Sequence, residues 1–399
     1  MHRRDFLSAT AATAAALQLP PHLLAAPAEM PMPIEYIAPD PATGSSKAVV
    51  VGPGVSLAQT GFQQVAQTSA SDSLADNGDE CLKAVDAALN SAGASLSQAI
   101  KLNVVLHDES DATAARQLFA RRFADAGKPA ISYVTSALPL VGARLAIDAV
   151  AVCRSSSQGI VQDTRRTVAV ITPGAKVYVS GQAEKASDLR SATRLTLESL
   201  RKTLEWMSLD LGSVKQVKSF LLPMMNQAEA LDEIQKFFAR QVTPPLAFVE
   251  WKSALPIEIE LVASAAGMKP PSDSVGPIEF LTPPGMTASP VFSRVTRVWS
   301  DRTIYTSGLY GREGQDAEGQ IRDIFAQLEV VLKNAGSDLR HMAKATYYVS
   351  TEEASAKLNA IRPEFYDPQR PPAASRAMVA GVGLPGRSIT LDMIAVPKA

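Results

Sequence analysis

An arginine and an aspartate near the C-terminal end of the chain have the types and surroundings of groups that carry out chemistry. Arg376 and Asp392 lie within residues 371–395, each inside an alternating apolar segment, with a Leu384-Pro385 turn between them. Two such segments around a Gly/Pro turn predict a β-hairpin. A guanidinium or a carboxylate is costly to bury unless another group neutralises it. The two side chains therefore either pair with each other or belong to a binding site.

This hairpin occurs three times in the chain, and only the last copy carries the arginine. Its turns are Leu138-Pro139, Leu255-Pro256 and Leu384-Pro385, and a strand ending in Gly61, Gly181 or Gly308 precedes each of them. These glycines are 120 and 127 residues apart, a period that indicates repeated domains. Between glycine and hairpin, each copy has the pattern of an amphipathic helix, a turn, a strand and a second helix.

Each repeat predicts an α+β domain in which two helices lie on one face of a mixed sheet of four or five strands. The first helix of the third repeat has the spacing of a core-facing helix, with apolar residues at Ile321, Phe325, Leu328, Val331 and Leu332. We place the three domains at residues 29–154, 160–268 and 286–399. Their uncovered sheet faces are apolar, so we expect the domains to pack against one another as a pseudo-trimer.

Residues 1–28 have the pattern of a signal peptide. A charged start, Arg3-Arg4-Asp5-Phe6-Leu7, leads into an alanine-rich stretch and then a small-residue site, Ala26-Pro27-Ala28. The paired arginines resemble a twin-arginine (Tat) export signal, and an ordinary secretory signal is the alternative. We therefore expect a periplasmic or other extracytoplasmic location. No later apolar run is long enough to span a bilayer.

The composition argues against several classes of function. Lys and Arg number 39 against 40 Asp and Glu, so no excess of positive charge favours nucleic acid or an anionic membrane. His107 and His341 are isolated, which predicts no metal site, and no cofactor motif is present. Cys81 and Cys153 are expected to be buried free thiols, although a disulfide between them stays open.

Three motifs in the repeats resemble the Rid family, the YjgF-like reactive intermediate deaminases. They are Ser-Gly after the second strand, Ala-Gly-Ala-Ser-Leu between helix and strand, and a C-terminal Pro-Pro-Ala, Arg, Leu-Pro pattern. The resemblance covers nearly all of the chain after residue 28. It implies chorismate-mutase-like domains, which in the family form homotrimers with ligand clefts between subunits. This chain resembles such a trimer fused into one polypeptide, and we expect it to be a monomer.

The resemblance also assigns site residues, and the third repeat matches best. Arg376 matches the carboxylate-binding arginine, and Asp392 the last glutamate of the family's Glu-Ile-Glu. The substrate-binding positions match Asn359, Ser307, Gly308 and, across a small insertion, Phe292.

The other repeats depart from this pattern. Counting back from the Leu-Pro turn puts Ala247 in the second repeat, and Ile131 in the first, at the arginine position. Asp232 and Arg116 stand at the asparagine position, while the acids Asp148 and Glu260 are retained, which without an arginine indicates a structural role. At most one ordinary cleft is therefore expected.

The family activity implied is hydrolysis of 2-imino acids or their enamine tautomers to 2-keto acids and ammonia, without a cofactor. Arg376 would hold the substrate carboxylate through two parallel hydrogen bonds, and Asp392 would polarise the attacking water. The alternative is a protein of the same fold that binds small carboxylates, or serves as a scaffold, without turnover. Loss of two of three sites and the export signal motivate that alternative.

Overall fold

The computed structural model describes residues 34–67, 73–155, 159–162, 167–272 and 276–398. The predicted signal peptide lies outside the described residues. The described helices are α1 (Leu74–Ser91), α2 (Ala112–Arg122), α3 (Leu189–Trp206), α4 (Gln227–Phe237), α5 (Ala317–Asn334) and α6 (Glu352–Ile361).

The described strands, in chain order, are β1 (Ile34–Asp40), β2 (Ser45–Val51), β3 (Ser56–Thr60), β4 (Gln63–Ala66), β5 (Ala99–Leu106), β6 (Ala130–Thr135), β7 (Ala143–Cys153), β8 (Gly159–Gln162), β9 (Thr167–Ile171), β10 (Ala175–Gln182), β11 (Val214–Leu221), β12 (Leu246–Glu250), β13 (Ile257–Ala265), β14 (Ile278–Leu281), β15 (Val295–Val298), β16 (Thr303–Thr306), β17 (Met342–Val349), β18 (Ala373–Met378) and β19 (Ile389–Ala395).

Three mixed sheets carry the fold, and two helices cover one face of each, so the α+β prediction is confirmed. Sheet 1 has the order β6-β5-β7-β3-β9-β8, with β4 also pairing with β7. Sheet 2 has the order β12-β11-β13-β10-β15-β14, and sheet 3 the order β1-β2-β16-β19-β17-β18. Each sheet is antiparallel except for one parallel pair, β5–β6, β11–β12 or β17–β18. The hairpins predicted around the Leu-Pro turns were therefore wrong, because β5, β11 or β17 lies between the two strands that flank each turn.

The helices begin where the sequence provides caps. Ser73 and Asp76 form a reciprocal capping box at the start of α1, and Asp316 accepts a hydrogen bond from the Gly319 N–H at the start of α5. Such caps satisfy backbone donors that the first helical turn leaves without partners. The apolar faces that follow, including Phe325 on α5, are buried against the sheet. Local capping and apolar spacing together fix the helices.

The first two strands of each repeat do not join the sheet of their own repeat. In place of a hairpin with β3, β2 pairs with β16 of the third repeat. In the same way β9 pairs with β3 of the first repeat, and β15 pairs with β10 of the second. Each sheet is thus longer than the four or five strands expected, and it crosses the predicted domain boundaries. The three repeats are linked in a closed cycle.

The exchanged strands enter the apolar cores of their host sheets. Ile37, Ala48 and Val50 pack in the core that α5 and α6 cover, Val168 and Val170 in the core of α1 and α2, and Val295 in the core of α3 and α4. Burying a valine side chain contributes about 1.5–3 kcal/mol. Removing an exchanged hairpin would therefore open a core as well as a sheet edge.

The opposite faces of the sheets pack against one another, as expected for a pseudo-trimer. One apolar cluster takes Val105 and Val134 from sheet 1, Phe220 and Trp251 from sheet 2, and Tyr348 with its neighbours from sheet 3. Contacts of this kind place clefts where two repeats meet. Elsewhere, Cys81 and Cys153 are buried and free, as predicted, and no helix in the described ranges has the length and hydropathy to cross a membrane.

Cysteines at positions 48 and 306 provide a test of the closed cycle. Ala48 on β2 and Thr306 on β16 are directly opposed across the antiparallel pair, and both are fully buried. We expect the Ala48→Cys, Thr306→Cys double variant to form an intrachain disulfide on oxidation, because opposed strand residues have suitable Cβ separations. Closing so long a loop should raise the melting temperature. Peptide mapping of a non-reduced digest identifies the bond, and disulfide-linked dimers would contradict exchange within one chain.

Candidate functional site

A cavity of about 700 Å³ lies where the second and third repeats meet. The second repeat contributes Gly181 on β10 and Glu258 on β13, and the third contributes Arg376 on β18 and Asn359 on α6. The loop between β14 and β15 completes the wall with Phe292 and its neighbours. Three of the residues predicted for the site, Arg376, Asn359 and Phe292, therefore share one cavity.

The Arg376 side chain reaches this cavity because residues alternate along β18. Ala373, Ser375 and Ala377 are buried, and Arg376 between them is half-buried. Its Nη1 lies 3.5 Å from the Ser355 carbonyl oxygen, which is a long hydrogen bond. Burial lowers the pKa of Arg376, with a further contribution from the nearby charge of Arg362. Since an arginine keeps its proton at any ordinary pH, the site presents a cation to an anionic ligand.

Glu258 is the carboxylate of the cavity that lies beside Arg376, and it was not among the residues predicted from the sequence. Burial raises the pKa of Glu258 to about 7, and the charge of Glu260 adds to the effect. A hydrogen bond from Ser375 and the charge of Arg376 act in the opposite direction. Its Oε1 is buried without a hydrogen-bond partner. A carboxyl with such a pKa is suited to exchange protons near neutral pH.

Gly181 allows the backbone of β10 to approach that carboxylate. A Cβ at this position would lie 2.0 Å from Glu258 Oε1, so a larger residue would require the Glu258 side chain to move. The Gly181 N–H donates to Ser375 Oγ at 3.1 Å. The neighbouring Ser180 hydroxyl donates to the Ser293 carbonyl and accepts from the Ala374 N–H, both at 2.6 Å. These bonds join the second repeat to the third at the floor of the cavity.

The rim of the cavity adds aromatic and cationic groups. The Arg294 guanidinium lies 4.9 Å from the ring centroid of Phe292, and that of Arg362 lies 5.1 Å from the centroid of Tyr347. Both arginines line the cavity, and Asn359 is exposed at its edge. Among the described residues, no group of three or more His, Cys, Asp or Glu side chains could hold a metal ion.

Ser307 and Gly308, which the sequence analysis assigned to the same site as Arg376, lie in a different cavity between the third and first repeats. The Gly308 N–H donates to the Ile131 carbonyl, and Ser307 Oγ donates to the Ser46 carbonyl at 2.6 Å. They do not share the site of Arg376 because each cleft is formed between two repeats. The glycine beside Arg376 therefore comes from the second repeat and not from the third. Gly181 takes the expected role beside Arg376.

Asp392 was also wrongly assigned to the site. It lies on the inner face of sheet 3, where its Oδ1 forms an ion pair with Lys101 of the first repeat at 2.9 Å. Burial alone would raise the pKa of Asp392, but the charges of Lys101, Lys218 and Lys344 outweigh it and lower the pKa to about 2. The aspartate therefore holds two repeats together.

The first and second repeats also carry an acid at the position of Asp392, but only one of these two acids has a lysine partner. Glu260 forms an ion pair with Lys344 at 2.8 Å, so the second and third repeats are joined as the third and first are. In the second repeat the position equivalent to Lys101 and Lys344 is occupied by Gln216, and Asp148 lacks a matching lysine. Burial raises the pKa of Asp148 to about 6, since Lys218 and a hydrogen bond from Asn103 offset it only in part.

Strand register gives the equivalents of Arg376 in the other repeats. Asn103, Lys218 and Thr346 are equivalent because each pairs with the retained acid of its own sheet. The next residue of each strand pairs with the neighbouring parallel strand. Its partners there are Tyr133 in the first repeat, Phe248 in the second and Arg376 in the third. The sequence count to Ile131 and Ala247 was therefore wrong by two residues and by one. Aromatic side chains replace the arginine.

The same register gives the equivalents of Glu258. Glu258 lies opposite Phe220 in the second repeat. At the same place in the other sheets, Ala146 lies opposite Val105 and Thr390 lies opposite Tyr348. The arginine thus occurs only in the third repeat and the glutamate only in the second. They meet at the one interface that these two repeats form. The sequence signal for this site was a second carboxylate in the second repeat, Glu258, which lies two residues before the retained acid Glu260.

Comparisons with known proteins find one family model in two separate segments of the chain. A family model described as Endoribonuclease L-PSP matches residues 36–153 and 286–397. A YjgF family protein from Neisseria meningitidis has 24% identity, with 31% of this chain and 96% of that chain covered and a TM-score of 0.24. For Rv2704 from Mycobacterium tuberculosis the values are 23%, 26%, 86% and 0.22. For E. coli TdcF with bound serine they are 22%, 23%, 81% and 0.22. No curated protein matches.

Replacing Asp148 and Asp392 by asparagine should change stability in opposite directions. Asp392→Asn breaks a buried ion pair and leaves Lys101 without it, so we expect the free energy of unfolding at pH 7 to fall by about 3–5 kcal/mol. Asp148→Asn removes a carboxylate whose ionisation opposes folding, so we expect a gain of up to about 3 kcal/mol. Urea denaturation at pH 7 measures both, and a loss in both variants would contradict this account.

The pH dependence of the two variants follows from the directions of the pKa shifts. The lowered pKa of Asp392 gives stability that is present above pH 4 and lost as the pH falls towards about 2. The raised pKa of Asp148 gives the reverse, a loss of stability as the pH rises from 4 through about 6. In Asp148→Asn that second loss should be absent.

Proposed function

Because this chain belongs to the Endoribonuclease L-PSP family, which includes the YjgF and Rid proteins, we propose that it hydrolyses 2-imino acids or their enamine tautomers to 2-keto acids and ammonia. The reaction takes place in the cavity between the second and third repeats. The meeting of Arg376 with Glu258 carries the proposal. Only one of three equivalent positions carries the arginine and only one carries the glutamate, yet both residues line the same cavity.

The Arg376 guanidinium is the group that binds the substrate carboxylate. It is half-buried, and no carboxylate in the described ranges forms an ion pair with it, so its donors are available to a ligand. Two parallel N–H···O bonds fix the plane of a carboxylate. Holding the carboxylate also orients the adjacent C=N carbon, and orientation of this kind removes several kcal/mol from a barrier.

Glu258 is the proton-transfer group. As a carboxylate it accepts a proton from water, whose oxygen forms a bond to the imine carbon while the C=N electron pair moves to nitrogen. Nitrogen takes the proton back from Glu258, and a second transfer from the hydroxyl to nitrogen releases ammonia as the carbonyl forms. General acid–base help of this kind contributes about 10²–10⁴-fold. Its Oε1 lies beside Gly181 without a hydrogen-bond partner, so this oxygen is free to take up the proton.

The protein acts in this proposal as a monomer, since one chain supplies both repeats that border the cavity. Export by the signal at residues 1–28 is a proposal from the sequence alone. The alternative is a protein that binds a small carboxylate at Arg376 without turnover. The raised pKa of Glu258 favours the enzyme, because binding alone needs no group that exchanges protons near pH 7.

Replacing Arg376 should abolish the activity. With 2-imino acids generated in place by an amino-acid oxidase, we expect the wild-type protein to accelerate release of keto acid. Arg376→Ala should lose at least 100-fold in kcat/KM, and Arg376→Lys should remain impaired because an ammonium cannot form the same two bonds. Arg302→Ala, an exposed arginine of the same repeat, is the control. Equal rates in wild type and Arg376→Ala would refute the site.

Two further results would redirect the proposal. Binding of 2-oxobutanoate without hydrolysis of any imine would support the binding protein. Cleavage of single-stranded RNA that Arg376→Ala abolishes would instead support the activity named in the family description.

The rate should depend on the ionisation of Glu258. With its pKa at about 7, the base form becomes populated as the pH rises from 6 to 8, so kcat/KM should increase over this interval. Glu258→Gln should lower kcat/KM by about 100-fold or more and remove the inflection. Glu260→Gln removes a neighbouring negative charge that raises the pKa of Glu258, so it should instead shift the inflection to lower pH. A wild-type inflection retained in Glu258→Gln would exclude this residue as the base.

A further inference from the structure

We propose that the interface between the third and first repeats holds a second site, which binds small carboxylates through Arg116. A cavity of about 120 Å³ lies there, at the position equivalent to the site of Arg376. Its walls are α2, β6 and the β1–β2 hairpin on one side and Ser307 to Tyr310 on the other. A guanidinium is present in both cavities, but it comes from a helix in this one and from a strand in the other.

The Arg116 guanidinium is held in place from three directions. Its Nη1 donates to the Ala112 carbonyl at 3.1 Å. Its Cζ lies 4.6 Å from the ring centroid of Tyr133 and 5.8 Å from that of Tyr310. Tyr133 occupies the strand position that Arg376 has in the third repeat, so the ring supports a cation that arrives from the neighbouring helix. Stacking on two aromatic faces orients the group without consuming its donors.

Three polar atoms of residues lining this cavity are buried without hydrogen-bond partners. They are Arg116 Nη2, Tyr133 Oη and Ser46 Oγ. A buried polar atom without a partner costs about 1–3 kcal/mol, and native proteins seldom leave several of them around one cavity. Arg116 Nη2, Tyr133 Oη and Ser46 Oγ can all donate, so an anion bound among these lining residues would supply the acceptors that they lack.

The charges of the cavity also favour an anion. Asp40 is the carboxylate in the lining, and its oxygens already accept bonds from the Ala42 N–H and the Thr43 hydroxyl. Lys47 adds a second positive charge at the exposed edge. Since about 10–15 Å³ of such space holds one water, 120 Å³ accommodates a molecule of a few non-hydrogen atoms. The ligand class is therefore a small carboxylate.

This second site has no counterpart of Glu258. Thr390 occupies that position, and its hydroxyl donates to the Leu309 carbonyl at 3.0 Å. The site accordingly binds its ligand without hydrolysing it. Occupancy joins the third repeat to the first, because the two walls of the cavity belong to different repeats.

Calorimetric titration with pyruvate, a small 2-keto acid, tests the second site in the Arg376→Ala background, where the first site is disabled. We expect Arg376→Ala to bind one equivalent. Adding Arg116→Ala should weaken binding at least tenfold, whereas adding Arg121→Ala, an exposed arginine of the same helix, should not. Adding Tyr133→Phe keeps the ring and should weaken binding about threefold, the effect of one hydrogen bond.

The proposal is overturned if Arg376→Ala binds no pyruvate, which would mean that the cavity holds only water. It is also overturned if the Arg116 and Arg121 variants bind alike. Thermal melting of each variant verifies folding, and Arg116→Lys, which should retain weak binding, replaces Arg116→Ala if the latter unfolds. These results are independent of the proposed hydrolysis, because they measure binding in a protein whose first site is disabled.

Discussion

The exchange of opening hairpins is the constraint on which the rest of the structure depends. Because β14 and β15 of the third repeat extend sheet 2, the loop between them lies beside Gly181 and forms a wall of the large cavity. The exchange thus determines which repeat faces which. It brings the third repeat's arginine to the second repeat's glutamate. The ion pair Lys344–Glu260 joins the same two repeats, and Lys101–Asp392 joins the first repeat to the third.

A single chain allows three equivalent interfaces to differ. In a homotrimer any substitution appears in every cleft, whereas here each cleft has its own pair of walls. One interface has an arginine and a protonatable glutamate, and another has a helix-borne arginine over two tyrosines. At the remaining one, Gly61 packs against the backbone of Leu246, and Phe248 stands at the arginine position. The buried ion pairs differ too, since Gln216 occupies the position of Lys101 and Lys344 and Asp148 has no matching lysine.

The sequence was sufficient for the repeats, the helices and the half of the site on the third repeat. The family motifs grouped Arg376, Asn359 and Phe292, which line one cavity, and periodicity along a helix or strand reveals which residues share a face. It does not reveal how far along a face a residue lies. Glu258 and Glu260 share one face of β13, yet Glu258 borders the cavity and Glu260 forms the buried ion pair with Lys344. Nor can a single sequence show which repeat supplies the facing wall, and this is why Ser307, Gly308 and Asp392 were misplaced.

The cyclic exchange also gives the chain an order of assembly during translation. Sheet 1 is complete once residue 171 has left the ribosome, and sheet 2 once residue 298 has done so. Sheet 3 needs β1 and β2, the first strands made, and also β19, the last. The N-terminal hairpin must therefore wait through almost the whole of synthesis with an unpaired edge, which is a hazard for aggregation. A chaperone that shielded β1 and β2 until the final strand emerges would reduce this hazard.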